Sequence, residues 1–384
     1  MTGILTNLNR IIINRPLVFL FTLFLLVQTV LFLQTGVFTA LEAEKYVRQG
    51  NLLFETGALG NTKYLFYLPV ILLVYLCRLF GISYHFVVLI QVLLSGYSLF
   101  CFYHLGKNLS NEVVAFFSST LLALFIPLQV WNFYLYSDSI FISLTIIYTW
   151  VVYRQGLKGI TGAIAISLFL VLLIFSRPNG LLLVPPTIIY LLFRTQTKKE
   201  LVFSCFFCAV LLTGMYMLLN TLFTGGEDMD AMKPFIEEHI ICFVPLKPEG
   251  ANLNIVQTSN PVNDIFYYII HNPLHYSKFA VLKLFSFFNM TRSYYSPAHN
   301  ILLAMILIPV YILALIGFFR FVKPFKNFTI FLVSLLILYP LAVTFQCDDW
   351  HSRFTMVVFP YILLLATKGL ASLITRSKKK HELF

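Results

Sequence analysis

Charged residues are scarce in this sequence, and their scarcity limits what the protein can be. Only 11% of the 384 residues are charged, and acidic residues number only 16, whereas about 25% of residues are charged in an average soluble protein. The sequence also lacks a glycine-rich phosphate-binding loop, an HExxH zinc motif and a repeat of 20 to 50 residues. These absences count against nucleotide hydrolysis, a nucleotide-sugar donor, a dedicated zinc site and a repeat protein.

Apolar and aromatic residues take the place of the missing charge. Hydrophobic types make up 59% of the chain, which contains 40 Phe and 21 Tyr. A soluble fold has too little polar surface to cover so many apolar side chains, so the composition predicts an integral membrane protein. It excludes a soluble enzyme, a disordered chain and a disulfide-stapled secreted module. The net charge of +11 lies mainly in short gaps between apolar runs, as the positive-inside rule describes, and not in a nucleic-acid-binding domain.

Ten apolar runs are long enough to cross a membrane as helices. The fold class predicted from them is an all-α polytopic membrane protein of about ten transmembrane helices. The runs are 16–36, 84–106, 112–130, 139–153, 160–175, 181–193, 201–223, 300–317, 328–345 and 354–375.

One further run, 65–81, decides the sidedness of everything after it. If this run lies in the membrane interface without crossing, 15 of the 27 basic residues fall in the cytoplasmic segments, as the positive-inside rule favours. If it crosses, most of those residues face outward. We therefore expect an interfacial helix at 65–81, both termini in the cytoplasm, and the polar clusters facing the outer side of what we expect to be a bacterial inner membrane.

This topology suggests three parts of the chain. Residues 1–223 form a transmembrane module whose first outer loop, 37–83, carries candidate catalytic residues. Residues 224–299 form an outer region in which about 262–289 alternates aromatic and basic residues, a pattern that predicts amphipathic helices on the membrane. Residues 300–384 form the C-terminal transmembrane helices.

Acidic residues at the start of the first outer loop are candidate general bases. Glu42 and Glu44 follow the first span, and a carboxylate at the membrane boundary is partly desolvated. Their alternative interpretation is as solvated loop acids, although Lys45, Tyr46 and Arg48 beside them suit an anionic substrate.

Other charged residues lie at the ends of later spans. Asp138 begins the fourth span, where it acts in catalysis or caps the helix. Arg177 and Arg353 match phosphate geometry, the alternative being that they snorkel toward lipid headgroups. Cys242 and Cys347 both fall in outer segments, so a disulfide between them is possible but not determined by the sequence.

The order of these motifs resembles the GT-C superfamily of integral-membrane glycosyltransferases, which use polyprenyl-phosphate sugars. Its protein O-mannosyltransferase, aminoarabinose transferase and GPI mannosyltransferase groups are the most similar. The resemblance rests on Glu42 four residues before Tyr46, Asp138 at the start of a span, the Arg-Pro-Asn-Gly segment 177–180, and Arg353 before Pro360. The superfamily's interfacial helix occupies the place of 65–81.

The resemblance implies transfer of a sugar, such as the hexose mannose, with inversion. Glu42 or Glu44 would be the base, with Asp138 orienting the acceptor or the base. Lys45, Arg177 and Arg353 would hold the donor phosphate. Candidate substrate-binding residues are Tyr46, Lys63, Asn179, Arg292 and His351.

The expected partners are a polyprenyl-phosphate sugar donor, a lipid or lipid-linked glycan acceptor and membrane lipids, but no nucleic acid. No cofactor is required by this scheme, although Mg²⁺ or Mn²⁺ is compatible with the acids present. The alternatives are a lipid-linked glycan flippase or polymerase that needs no base, and a secondary transporter, for which the sequence shows no related halves.

Overall fold

The computed structural model describes residues 15–155, 159–194, 197–223, 232–242, 244, 253–321, 326–349 and 351–381. Over these residues the protein is helical, and extended segments meet only at isolated bridges. The α-helices are α1 (Pro16–Thr35), α2 (Glu42–Thr56), α3 (Leu68–Phe80), α4 (His85–Leu109), α5 (Glu112–Leu124), α6 (Ile126–Gln129), α7 (Ser137–Gln155), α8 (Gly159–Ser176), α9 (Val184–Arg194), α10 (Lys198–Phe223), α11 (Lys233–Ile236), α12 (Pro261–His271), α13 (Pro273–Asn289), α14 (Pro297–Phe321), α15 (Lys326–Val343) and α16 (Arg353–His381). Short 3₁₀ helices cover Thr62–Tyr67, Val130–Phe133 and Pro178–Leu183.

The all-α polytopic fold predicted from the sequence is confirmed, and each of the ten apolar runs lies largely on a helix. Among the described residues, six helices are long and apolar enough to cross a membrane, or seven if α5 and the segment after it, bent by 62°, form one span. The bend falls at Phe125, two residues before Pro127. The proline has no backbone N–H group, so it cannot donate the hydrogen bond that would continue the helix. Shorter apolar helices cover Thr161–Ser176, Pro178–Phe193 and Phe328–Val343.

The run 65–81 folds as the 3₁₀ helix Thr62–Tyr67 followed by α3. By length and composition, Thr62–Phe80 also qualifies as a candidate span, so its interfacial position stays a prediction. Helix α3 ends at Gly81, whose φ of 63° is readily adopted only by a residue without a Cβ atom.

The chain divides into two compact units. The first comprises Met1–Arg177, Ile312–Phe325 and Ile362–Phe384, and the second comprises Pro178–Tyr311 and Lys326–Tyr361.

In the first unit, α4 packs against α5 and α7, and a buried cluster that includes Ala43, Val74 and Trp131 joins the loop after α1 to α3 and α4. Within this unit, α14 and α16 also approach closely. A Cβ atom at Gly317 would collide with the carbonyl oxygen of Leu365, so the small residue permits the contact.

The second unit contains the helices of the region 224–299 that fall within the described residues. Helix α12 buries Ile265 and Tyr268 against Met232 and Phe235, while Ile270 is 70% exposed on its other side. Helix α12 therefore has apolar residues on its buried side and on its exposed side, and the amphipathic helices on the membrane that the sequence predicts for this region stay a prediction.

Candidate active site

Helix α2 separates the polar residues of the loop after α1 onto two faces. Because an α-helix has about 3.6 residues per turn, Glu42 and Glu44 project roughly 200° apart. Their carboxylates therefore have different surroundings, although the sequence leaves the two acids interchangeable as the candidate base. The helix ends at Gly57, whose φ of 72° is a left-handed cap.

The Glu42 carboxylate is held by two neighbours on its own helix. Its Oε1 atom lies 2.8 Å from the Lys45 ammonium and accepts a 2.7 Å hydrogen bond from the Tyr46 hydroxyl. The side chain of Glu42 is 20% exposed, so it is partly desolvated but still reachable. A lysine in contact stabilises the ionised carboxylate, which is the form that accepts a proton.

Tyr46 joins Glu42 to the start of α7. Its ring is fully buried, and its hydroxyl lies 3.5 Å from the Ser137 hydroxyl. Burial, and then the nearby Glu42 carboxylate, raise the pKa of Tyr46 well above its usual value. Tyr46 therefore remains a hydrogen-bond donor to Glu42 at physiological pH.

A backbone bridge fixes the two segments that meet at Tyr46. The Phe38 amide donates to Phe133 at 2.9 Å, and the Leu135 amide donates to Phe38 at 3.0 Å. The Glu42 amide donates to the Tyr136 hydroxyl at 3.3 Å. The loop after α1 and the segment before α7 are thus attached to each other at Phe38 and at the backbone of the candidate base itself.

Asp138 and Arg177 form an ion pair at the ends of α7 and α8. The side chain of Asp138 is completely buried, and that of Arg177 is 9% exposed. The pair uses one guanidinium nitrogen, and a guanidinium carries five N–H donors, so Arg177 retains the capacity to bind a phosphate. We name Glu42, Lys45, Tyr46, Asp138 and Arg177 the first-loop cluster.

Glu44 lies outside this cluster. It lines an open groove of about 460 Å³ on the other side of α2, together with Arg48, Asn51, Glu55 and Tyr84. Glu44 is exposed to solvent. The structure therefore places only one of the two candidate bases in contact with Tyr46.

A second set of charged residues lies in the second unit and is closed to solvent. The Arg292 and Asp348 side chains are 1% and 0% exposed, and they meet at 2.7 Å. Arg292 also donates to the Ser352 hydroxyl at 2.8 Å and to the Asp349 carbonyl at 3.1 Å. Burial raises the pKa of Asp348 to about 6, and the Arg292 charge opposes this shift.

Arg353 and His351 complete this second set. Arg353 donates to the Asp349 carboxylate at 2.8 Å and is 11% exposed, whereas His351 is exposed. We name Arg292, Asp348, Asp349 and Arg353 the disulfide-side cluster.

The disulfide that the sequence left open is present next to this cluster. It joins Cys242 to Cys347 across 105 residues, with the Cα atoms 5.0 Å apart. The Cys242 amide donates to the Asp348 carbonyl at 2.8 Å. The covalent link therefore lies directly beside the buried ion pair.

Lys63 and Asn179 are two further candidate residues that the structure describes. Lys63 is half-buried, with its ammonium 5.8 Å from the centre of the Tyr64 ring. Asn179 lies in the 3₁₀ helix Pro178–Leu183, where its amide nitrogen is buried and has no partner within the described part of the chain.

Lys283 is a buried charged residue that the sequence analysis missed. Its side chain is 0% exposed, and its nitrogen lies 4.4 Å from the centre of the Phe235 ring, with no hydrogen-bond partner among the described residues. Burial lowers the pKa of Lys283 to about 7. The sequence gives little sign of this burial. Lys283 lies between apolar residues of a segment predicted to be amphipathic, and that pattern predicts a cation at the membrane surface.

The described residues contain no group of three or more His, Cys, Asp or Glu side chains that could hold a metal ion. His271 and His275 are four residues apart, but His275 contacts Tyr268 and Glu238 while His271 contacts the Tyr267 carbonyl. Asp348 and Asp349 are engaged by arginines. The expectation that the reaction requires no cofactor, with Mg²⁺ or Mn²⁺ compatible, stays a prediction.

The described residues therefore combine apolar helices, several of them long enough to cross a membrane, with a partly exposed carboxylate at Glu42 and a buried arginine at Arg177. The family model for dolichyl-phosphate-mannose-protein mannosyltransferases matches residues 68–222. This match supports membership of the GT-C superfamily of membrane glycosyltransferases, as the motifs predict. The matched region contains Asp138 and Arg177 but neither Glu42 nor the disulfide-side cluster. No match is found among curated proteins.

Proposed function

We propose that the protein transfers mannose from a polyprenyl-phosphate mannose donor to a hydroxyl of a lipid or lipid-linked glycan acceptor, with inversion. The observation that carries this proposal is the first-loop cluster, in which a partly exposed carboxylate and a buried guanidinium are linked through Tyr46 and α7. The family match supports a glycosyltransferase activity with this class of donor. The charge distribution of the sequence favours a site on the outer face of the membrane.

In the proposed mechanism, Glu42 accepts the proton of the acceptor hydroxyl as that oxygen attacks the anomeric carbon. The bond between this carbon and the phosphate oxygen breaks, and polyprenyl phosphate leaves with the bonding electrons. Attack opposite the leaving group inverts the anomeric configuration. Lys45 and Tyr46 hold the Glu42 carboxylate in place, so its direction toward the acceptor is fixed before reaction.

Arg177 has the complementary role at the leaving group. Negative charge grows on the phosphate as the bond breaks, and a preorganised guanidinium offsets that charge most strongly where water is excluded. Asp138 positions the guanidinium and neutralises it while the donor is absent. The Arg292 guanidinium is buried and already hydrogen-bonded to Asp348, Asp349 and Ser352. We therefore propose that Arg292 supports the fold of the second unit and does not bind the donor phosphate.

The test is sugar transfer by the purified full chain in nanodiscs, from short-chain polyprenyl-phosphate mannose. Glu42→Gln should lower transfer by a factor of about 10² to 10⁴, as expected for loss of a general base. Glu237→Gln is the matched control, because Glu237 is also a helix-end carboxylate facing a lysine, Lys233, at 3.9 Å. Full transfer by Glu42→Gln would refute the proposed base, and saturable donor binding without turnover by wild type would favour a flippase or polymerase.

A further inference from the structure

The groove beside α2 is not used by the mechanism proposed above. Its polar wall consists of Glu44, Arg48, Asn51 and Glu55, which recur every three or four residues and so form one stripe along the helix. At about 1.5 Å of rise per residue, this stripe is roughly 16 Å long. The groove has a volume of about 460 Å³, which lies within the usual range for small-molecule sites, about 300–1,000 Å³.

The polar side chains of this stripe have their hydrogen-bonding capacity available. Within the described part of the chain, none of the four makes a side-chain hydrogen bond or an ion pair. The opposite face of the same helix differs, since Glu42, Lys45 and Tyr46 are bonded to one another. The groove therefore combines unused donors and acceptors with the apolar side chains of Val47 and Leu52 and the ring of Tyr84.

This combination suits one class of ligand, a neutral saccharide. Carboxylates accept hydrogen bonds from sugar hydroxyls, while the amide and the guanidinium donate to hydroxyl and ring oxygens. Aliphatic and aromatic side chains cover the C–H face of a pyranose ring. The groove is also longer than one hexose, which favours an oligosaccharide.

The charges of the groove count against the donor as its occupant. Two carboxylates and one guanidinium give a net charge of −1, which repels a phosphodiester or an anionic lipid headgroup. A metal ion is also disfavoured, because the described residues offer no cluster of three metal-binding side chains. An uncharged acceptor meets neither obstacle.

We propose that this groove binds the saccharide of the acceptor, which we infer to be a neutral, lipid-linked oligosaccharide; this inference rests on the proposed function. The stripe begins at Glu44, in the first turn of the helix that also carries Glu42. An acceptor lying along it brings its terminal sugar to the N-terminal end of α2, and the sugar then passes around the first turn to reach the Glu42 carboxylate on the opposite face. Glu44 then recognises the acceptor, and Glu42 alone removes the proton.

Two measurements on the full chain in nanodiscs test the groove. The first compares mannose transfer to octyl α-mannobioside with hydrolysis of the donor by water. Asn51→Leu and Glu55→Gln should each lower the ratio of transfer to hydrolysis at least tenfold and raise the acceptor KM. Thr56→Val, an exposed substitution on the same helix outside the groove, should leave the ratio unchanged. An unchanged ratio in the groove variants, or equal loss of both reactions, would overturn the proposal.

The second measurement is binding without turnover, by saturation-transfer-difference NMR with octyl α-mannobioside, octyl β-glucoside and octyl glucuronide. Binding of a neutral glycoside should persist in Glu42→Gln and be lost in Asn51→Leu. Stronger binding of the glucuronide, or no glycoside binding, would overturn the groove assignment. If wild type binds glycosides in the groove but neither transfers nor hydrolyses, the proposed function fails while the saccharide site stands.

Discussion

The first-loop cluster and the disulfide-side cluster use the same chemical groups in opposite ways. Each contains a buried arginine paired with an aspartate, Arg177 with Asp138 and Arg292 with Asp348. In the first-loop cluster the Glu42 carboxylate remains 20% exposed, and Tyr46 connects it to Ser137, the residue before Asp138. In the disulfide-side cluster the guanidinium is bonded to hydroxyl and carbonyl oxygens on several sides.

The difference shows that the presence of arginine and acid does not distinguish a reactive site from a structural one. A buried ion pair stabilises a fold only when surrounding hydrogen bonds offset the cost of removing both charges from water. Arg292 has such surrounding hydrogen bonds, which fits a structural role.

Backbone strain does not distinguish the two clusters either. Leu41 before α2 and Ser352 before α16 both have a positive φ, of 57° and 55°.

Among the substitutions that test this comparison between the two clusters, the largest expected effect comes from Arg177→Lys. Lysine keeps the charge but loses the planar fork that matches a phosphate, so transfer should fall by a factor of about 10² to 10³. The measurement is kcat/KM for the polyprenyl-phosphate donor, together with the thermal unfolding midpoint in nanodiscs. A large loss of stability with normal kcat/KM would make the first-loop pair structural and remove the contrast between the clusters.

The same substitution at Arg292 should act mainly on stability. Arg292→Lys loses the hydrogen bonds to Ser352 and to the Asp349 carbonyl, and we expect it to lower the free energy of unfolding by about 3 kcal/mol. A lowered unfolding midpoint would verify this, with Arg320→Lys, an exposed arginine, as the control. An unchanged midpoint accompanied by lost donor binding would instead return Arg292 to the substrate site.

The smallest expected effect is a pH dependence due to Lys283. Burial places the pKa of Lys283 in the folded protein near 7, below its usual value of 10.5. The contribution of neutral Lys283 to the free energy of unfolding is therefore fully present above pH 10.5 and is lost as pH falls through 7. Lys283→Met should therefore raise the unfolding midpoint at pH 6 and flatten its change between pH 6 and 9.

Lys278→Met is the control for this substitution, since Lys278 is exposed on the same helix. His239 faces the same region, and burial also lowers its pKa, so part of the pH dependence should remain in Lys283→Met. An equal pH profile in Lys283→Met and wild type would contradict a buried, unpaired amine at this position.

Much of the fold could be predicted from the sequence because its signals are local. The ten apolar runs match helices because hydropathy and backbone hydrogen bonding both act within a run of about 20 residues. The end of α3 at Gly81 follows from a single residue type. The number of crossings and the position of 65–81 depend on the membrane, so they stay predictions.

The candidate site was predicted less completely. The residue types were identified, but the sequence assigned no partner to Asp138, Arg177 or Arg292. It also described Lys283 as part of a surface pattern, although the fold encloses it against Phe235. Whether a charged residue is solvated, paired or buried depends on what packs over it, and neighbouring sequence does not contain that information.

The sequence by itself determined an apolar, all-helical membrane protein, the position of its helices and the kinds of charged residues between them. Only the tertiary structure decided which of these residues meet: Cys242 with Cys347 across 105 residues, Arg292 with Asp348 across 56, and Tyr46 with Ser137 across 91. It also separated Glu42 from Glu44. The physical reason is that a helix forms from its own residues, whereas an ion pair, a disulfide or a groove exists only after distant segments have packed together.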